Sequence, residues 1–148
     1  VRVPNLFLIV VCVLFTSSAF AQQSGKDVHV DDGAVMTVTK VVNGHEVQGR
    51  LSDGTRVSVR IVGLDCPDGN LGRAATQRAS KLLTRKKVIL ESTQPMFPIA
   101  QDNYGRLVAY VRLDSGDDFA EETLRDGQCT AASWNIPHPR KTIYAGLR

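Results

Sequence analysis

The chain has 148 residues, 22% charged and 43% apolar, and a formal net charge of +3. These values fit one globular domain with a real core and exclude wholesale disorder or a membrane bundle. A charge of +3 is too mild for nucleic-acid binding by bulk electrostatics, so any polyanionic partner must be recognised by a local patch.

Arg2, the unbroken apolar run from Leu6 to Phe15 and the small-residue site Ala19-Phe20-Ala21 form the pattern of a secretory signal cleaved after Ala21. A membrane-spanning helix needs about 20 apolar residues, so an uncleaved anchor is the weaker reading. The expectation is a secreted or periplasmic protein with a signal peptide at 1–21, a polar flexible leader at 22–33 and one folded domain at 34–148. Cleavage removes Arg2 and Cys12, which takes one unit from the net charge and leaves Cys66 and Cys129. In an oxidising compartment these two either form a bridge or remain buried thiols.

The stretch from Ala34 to Val42 is rich in β-branched residues and ends at Asn43-Gly44, a strong hairpin signal. Glu46 to Leu51 continues as a second strand, Asp53-Gly54 makes another turn, and a third strand starts at Arg56. There Val57, Val59 and Ile61 share one face while Arg56, Ser58 and Arg60 share the other. Gly63 ends the alternation, and Asp65, Cys66, Pro67 and Asp68 follow. A strand that delivers an arginine and ends in two acids can hold a metal and a phosphate together; it is also how an ordinary surface strand ends in a turn.

Residues 71–87 carry Leu71, Ala75, Ala79, Leu82 and Leu83 on one helical stripe, with Arg73, Arg78, Lys81 and Arg85 away from it, a solvated basic face rather than a nucleic-acid groove. Val88 to Glu91 is a short fourth strand and Leu107 to Leu113 a fifth. Between them Met96, Phe97 and Ile99 either fold back on the core or form an exposed contact patch. Asp118 and Glu121 have capping-box spacing for a helix from Phe119 to Asp126, ended by Gly127. From about residue 131 the tail has little periodicity, and no long helix is assigned. The order predicts a mainly β fold with α: a five-stranded β-barrel of OB type, with one helix between strands 3 and 4 and a second after strand 5.

Four motifs, in order, resemble the staphylococcal nuclease (thermonuclease) family: VVNGHE at 41–46, VRIVGLDCPD ending at Asp68, DNYGRLVAYV from Asp102 to Val111, and DDFAEETLRDGQC from Asp117 to Cys129. Together they span roughly residues 34–130. The resemblance implies a metal-dependent nuclease that hydrolyses phosphodiester bonds of DNA or RNA. Arg60 and Arg106 would be the guanidiniums on the scissile phosphate, a role suited to a planar fork that stays charged. Asp68 would activate the water. Tyr104 would lie beside the nucleotide. Asp65, the Cys66 carbonyl and the position of His45 would hold a divalent metal, calcium by resemblance.

The chain departs from the family at His45, where a metal carboxylate is expected, and at Asp68, one methylene shorter than the expected glutamate. An imidazole suits manganese or zinc better than calcium. Glu46, next in a regular strand, points to the opposite face from His45. Ser133 and Asn135 stand where nucleotide-flanking tyrosines are expected, and Trp134 reads as a packing residue. The partner implied is a DNA or RNA substrate, with no membrane after signal cleavage, no protein partner and a monomeric state. The competing reading is an OB-type module with a disabled centre that binds single strands through Arg60, Arg106 and Tyr104.

Overall fold

A computed structural model of the chain describes residues 27–132 and 137–147. The expected signal peptide, Ser133, Trp134 and Asn135 lie outside the described residues. Alternation sends Met36 and Val38 of β1 (Ala34–Asn43), Val47 of β2 (Glu46–Leu51) and Val57, Val59 and Ile61 of β3 (Arg56–Ile61) into one interior. Val88 and Leu90 of β5 (Lys87–Ser92) and Leu107, Ala109 and Val111 of β6 (Leu107–Arg112) complete it. The strands close in the order β1-β2-β3-β6-β5, with β3 and β6 parallel and the other neighbours antiparallel. Closure removes free sheet edges, and two register shifts in β1 supply the curvature that it needs. This is the expected OB-type barrel.

Between β3 and β5 stand β4 (Leu64–Asp65) and α1 (Arg73–Leu83), which buries Ala75, Ala79 and Leu83. Leu71 precedes that helix and is exposed, so the stripe is shorter than expected. Nor is Arg78 simply solvated: it donates to Thr123 Oγ1 and the Glu122 carbonyl and pairs with Asp126. The leader expected over 22–33 is anchored in its described part. Val30 is buried, Ile99 N–H donates to its carbonyl, and Asp32 accepts N–H groups of Ser92 and Met96. Ile99 therefore joins the core, while Met96 and Phe97 stay exposed.

After β6, α2 (Phe119–Asp126) begins where expected, with Asp118 Oδ1 accepting the N–H groups of Ala120 and Glu121, and ends at Gly127 in the left-handed region. β7 (Thr130–Ala131) pairs with β4, and a short α3 (Lys141–Ala145) supplies helix where none was assigned. Gly63, at φ +81°, lets the Tyr144 ring lie directly on the backbone; a Cβ there would collide with it. Tyr110 packs edge to face against both His138 and Tyr144, whose own rings are tilted to each other; this covers the outer side of β6 and explains why its Tyr110 is buried as well as its inward residues.

One ionic network holds this tail. Arg140 pairs with Asp118 Oδ2 and Glu91 Oε2 at 2.6 Å each, Tyr144 Oη donates to the same Asp118 oxygen, and Arg112 pairs with the other Glu91 oxygen. Asp118→Asn keeps an oxygen for the helix cap but removes the charge facing Arg140. It is expected to lower the unfolding free energy by about 2 kcal/mol in urea denaturation. An unshifted midpoint would show that the pair contributes nothing.

Candidate functional site

The site is assembled where the β1–β2 turn, the loop after β3 and the segment before β6 meet. Asn43 Oδ1 accepts the His45 N–H at 3.0 Å, closing a two-residue turn over Gly44 and His45. Gly44 is buried against the loop: an added Cβ would lie 2.7 Å from Cys66 Sγ. Cys66 is bonded to Cys129, so the alternative of two thiols does not hold, and the adjacent β4–β7 pairing ties the same loop to the end of α2. Cys66 N–H donates to His45 Nδ1 at 3.1 Å, which joins turn and loop a second time.

Arg60 leaves the outer side of β3 but is only 7% exposed. Its NH1 and NH2 donate to the carbonyls of Ile61 and Leu64 at 2.9 Å each, so the guanidinium braces the bend that delivers Asp65. Burial and the nearby charge of Arg106 lower its proton affinity, with Asp65, Glu46 and Asp102 opposing. Arg106 is held from two sides, by Asp102 at Nε and Glu46 at NH1, both at 2.7 Å. Burial acts against its charge, but these carboxylates outweigh burial and raise its pKa. Asp102 also accepts the N–H groups of Tyr104 and Arg106, and the exposed Tyr104 ring stands 5.2 Å from the Arg106 guanidinium carbon.

Asp65 and Asp68 are exposed, and Asn43 Nδ2 makes a long 3.5 Å contact to Asp68. Arg60, Arg106, Asp65, Asp68 and His45 thus gather at one end of the barrel wall, with Tyr104 at the rim. Two carboxylates that sequence reasoning passed over complete the group. In the sequence Asp102 reads only as part of a motif. A regular strand points Glu46 away from His45, yet Glu46 bonds Arg106, because His45 belongs to the turn and alternation starts at Glu46 itself. With Val47 inward, Glu46 must face outward beside Arg60, its cross-strand partner. That signal was present in the sequence.

The donor set does not fit the calcium implied by resemblance. Calcium takes six to eight oxygens, whereas His45 offers nitrogen and its Nδ1 already accepts the Cys66 N–H. Among the described residues no group of three or more His, Cys, Asp or Glu side chains is placed to hold a metal ion.

Burial and the charge of Arg60 lower the His45 pKa, although Asp68, Asp65 and Glu46 oppose them. A histidine whose pKa falls on folding stabilises the fold above its unfolded pKa, and that contribution is lost as pH drops through the folded value. The expected result is an imidazole NMR titration with its midpoint below about 6.5 and a loop that loosens as His45 protonates. A midpoint above that value would contradict the Cys66 N–H contact.

Comparison with known proteins agrees with this geometry. A family model described as staphylococcal nuclease homologue matches residues 58–145, from within β3 to the last residue of α3. No curated protein matches the chain.

Proposed function

Because the chain belongs to the staphylococcal nuclease homologue family, we propose that its site grips a phosphodiester of DNA or RNA between Arg60 and Arg106 and hydrolyses it. One observation carries this reading. The two guanidiniums, 46 residues apart in sequence, are brought together by Glu46, which stands opposite Arg60 across β2 and β3 and bonds Arg106 NH1 at 2.7 Å, beside the exposed carboxylates of Asp65 and Asp68. Like charges gather in this way where a doubly liganded anion is to be received, because each arginine adds charge-assisted hydrogen bonds as negative charge builds on the phosphate. As the water oxygen bonds to phosphorus, Asp68 takes its proton, the P–O bond to the leaving nucleoside oxygen breaks and solvent protonates that oxygen, with Asp65 flanking the water. Tyr104 stacks on the adjacent base. Glu46 and Asp102 fix the direction of Arg106, so that reorientation does not accompany each turnover.

His45 in place of a carboxylate, together with the short Asp68, favours a second reading in which the site binds a strand without cutting it. The bridged cysteines support a place outside the cytoplasm, secreted or periplasmic, since such bridges persist in oxidising compartments.

A fluorescent single-stranded oligonucleotide incubated with the purified chain tests both readings, with calcium, magnesium, manganese, zinc or a chelator in parallel. Cleavage that disappears in Arg106→Lys supports the hydrolase. Retardation without cleavage under every condition supports the binding module, and absence of both rules out the two readings together.

A further inference from the structure

Residues 69–90, from the end of the Asp68 loop through α1 into β5, carry six basic side chains and no acid. One of them, Arg78, is turned to α2 and paired with Asp126. The others stay outside. Arg73, Gln77 and Lys81 fall four residues apart and are exposed, so they form one line of about 12 Å along the outside of α1. Arg85, Lys86 and Lys87 follow at its end and are exposed too. The turn that carries them is fastened to β1: Arg85 N–H donates to the Val38 carbonyl, and Val38 N–H to the Lys86 carbonyl, at 2.9 Å each. Arg73 donates to the neutral Asn70 side chain, and among the described residues no carboxylate pairs with Arg73, Lys81, Arg85, Lys86 or Lys87.

Helix stability does not account for this charge. Arg73 stands in the first turn, where the helix dipole favours an acid and α1 has none. Arg85, at φ +63°, occupies the left-handed position after the helix, which glycine or asparagine adopts more readily. A cation is thus kept at both ends against local preference. Leu71, two residues before Arg73, is 87% exposed, an apolar side chain left out of the core beside the first cation.

Such a ridge suits an extended anionic surface. It is the convex outside of a helix rather than a cleft, and residues 69–90 hold no Phe, Tyr or Trp on which a base could stack. A nucleic-acid strand finds little purchase there. Phospholipid headgroups, in contrast, need only positive charge at the surface, each Lys or Arg adding to the attraction, and an apolar side chain that enters the acyl boundary strengthens the contact. We propose that α1 and the turn after it dock the protein on an anionic phospholipid surface, with Arg73, Lys81, Arg85, Lys86 and Lys87 against the headgroups and Leu71 inserted at one end. The contact is peripheral; no described helix is long and apolar enough to cross a membrane. Arg73 lies five residues after Asp68, so docking on this side keeps the candidate site near the lipid. The inference uses neither Arg60 nor Arg106 and stands apart from the reading of that site.

Sedimentation with vesicles tests it. The wild-type chain is expected to bind vesicles of equal parts phosphatidylcholine and phosphatidylglycerol, to be released by salt, and to leave pure phosphatidylcholine vesicles unbound. Lys81→Gln with Arg85→Gln and Lys86→Gln is expected to weaken binding about 100-fold. Leu71→Ser is expected to weaken it about fivefold without changing its salt dependence. Arg50→Gln with Arg56→Gln and Lys141→Gln removes as much charge from exposed positions elsewhere and is expected to leave binding nearly unchanged. Circular dichroism melting of each variant checks folding. Equal binding to pure phosphatidylcholine vesicles, an undiminished affinity in the ridge variant, or an equal loss in the charge-matched control overturns the docking surface. So does an equal loss, in the ridge variant, of binding to a labelled oligothymidylate in chelator, which would make the ridge a nucleic-acid surface. Cleavage of an oligonucleotide free in solution is expected to be the same in the ridge variant and the wild type, so docking and hydrolysis fail separately.

Discussion

Arg106→Lys is expected to lower kcat/KM on a phosphodiester substrate by about 100- to 1000-fold, the usual effect of removing one preorganised donor from a developing anion. Lysine keeps the positive charge but not the fork. Nε of Arg106 reaches Asp102 and NH1 reaches Glu46, and an ammonium on a flexible stem can reproduce neither that bidentate hold nor the aim that follows from it. The loss should fall mainly on kcat, since a retained charge still attracts the phosphate. Glu46→Gln should give a smaller loss, because the amide still accepts a hydrogen bond from Arg106 while Asp102 remains. Steady-state kinetics on a fluorogenic substrate read both variants. If Arg106→Lys stays within twofold of wild type, the guanidinium is not at the reacting phosphate.

The parts of this fold that were legible in the sequence are those fixed by neighbours. Helix α2 starts and stops at its expected residues because Asp118 and Gly127 act within one turn of its ends. The barrel strands follow from alternation, which a single strand displays without reference to its partners. What was not legible depends on distant contacts. Arg78 reads as solvated until α2 brings Thr123 and Asp126 to it. Five residues of α3 are too few for a periodic signal, and their position is set by the seat of Tyr144 on Gly63 and by its bond to Asp118. Leu71 fits the stripe by spacing yet falls before the helix, which begins only at Arg73. Glu46 lies between these cases: its direction could be read from Val47, but only once the turn had been placed on Gly44 and His45.

Loss of the Cys66–Cys129 bridge is the other large effect expected. The bond closes a loop over a separation of 63 residues, for which chain entropy alone gives about 4 kcal/mol of stabilisation. The consequence for the site is more specific than loss of stability. Gly44 rests on Cys66 Sγ, His45 accepts the Cys66 N–H, and Asp65 and Asp68 lie on either side of the Cys66-Pro67 pair. A loop freed at Cys66 therefore carries both acids away from the Arg60–Arg106 pair while the barrel still stands on its own core. Two measurements separate these outcomes. In urea denaturation, Cys66→Ala with Cys129→Ala should shift unfolding by about 4 kcal/mol. Below the onset of that unfolding, kcat should already be reduced, because a displacement of about 1 Å in a reacting group can cost about 100-fold in rate. A variant that unfolds earlier but turns over at the wild-type rate would restrict the bridge to stability, and the Asp65–Asp68 loop would then owe its place to the Arg60 bonds with Ile61 and Leu64 and to the β4–β7 pairing.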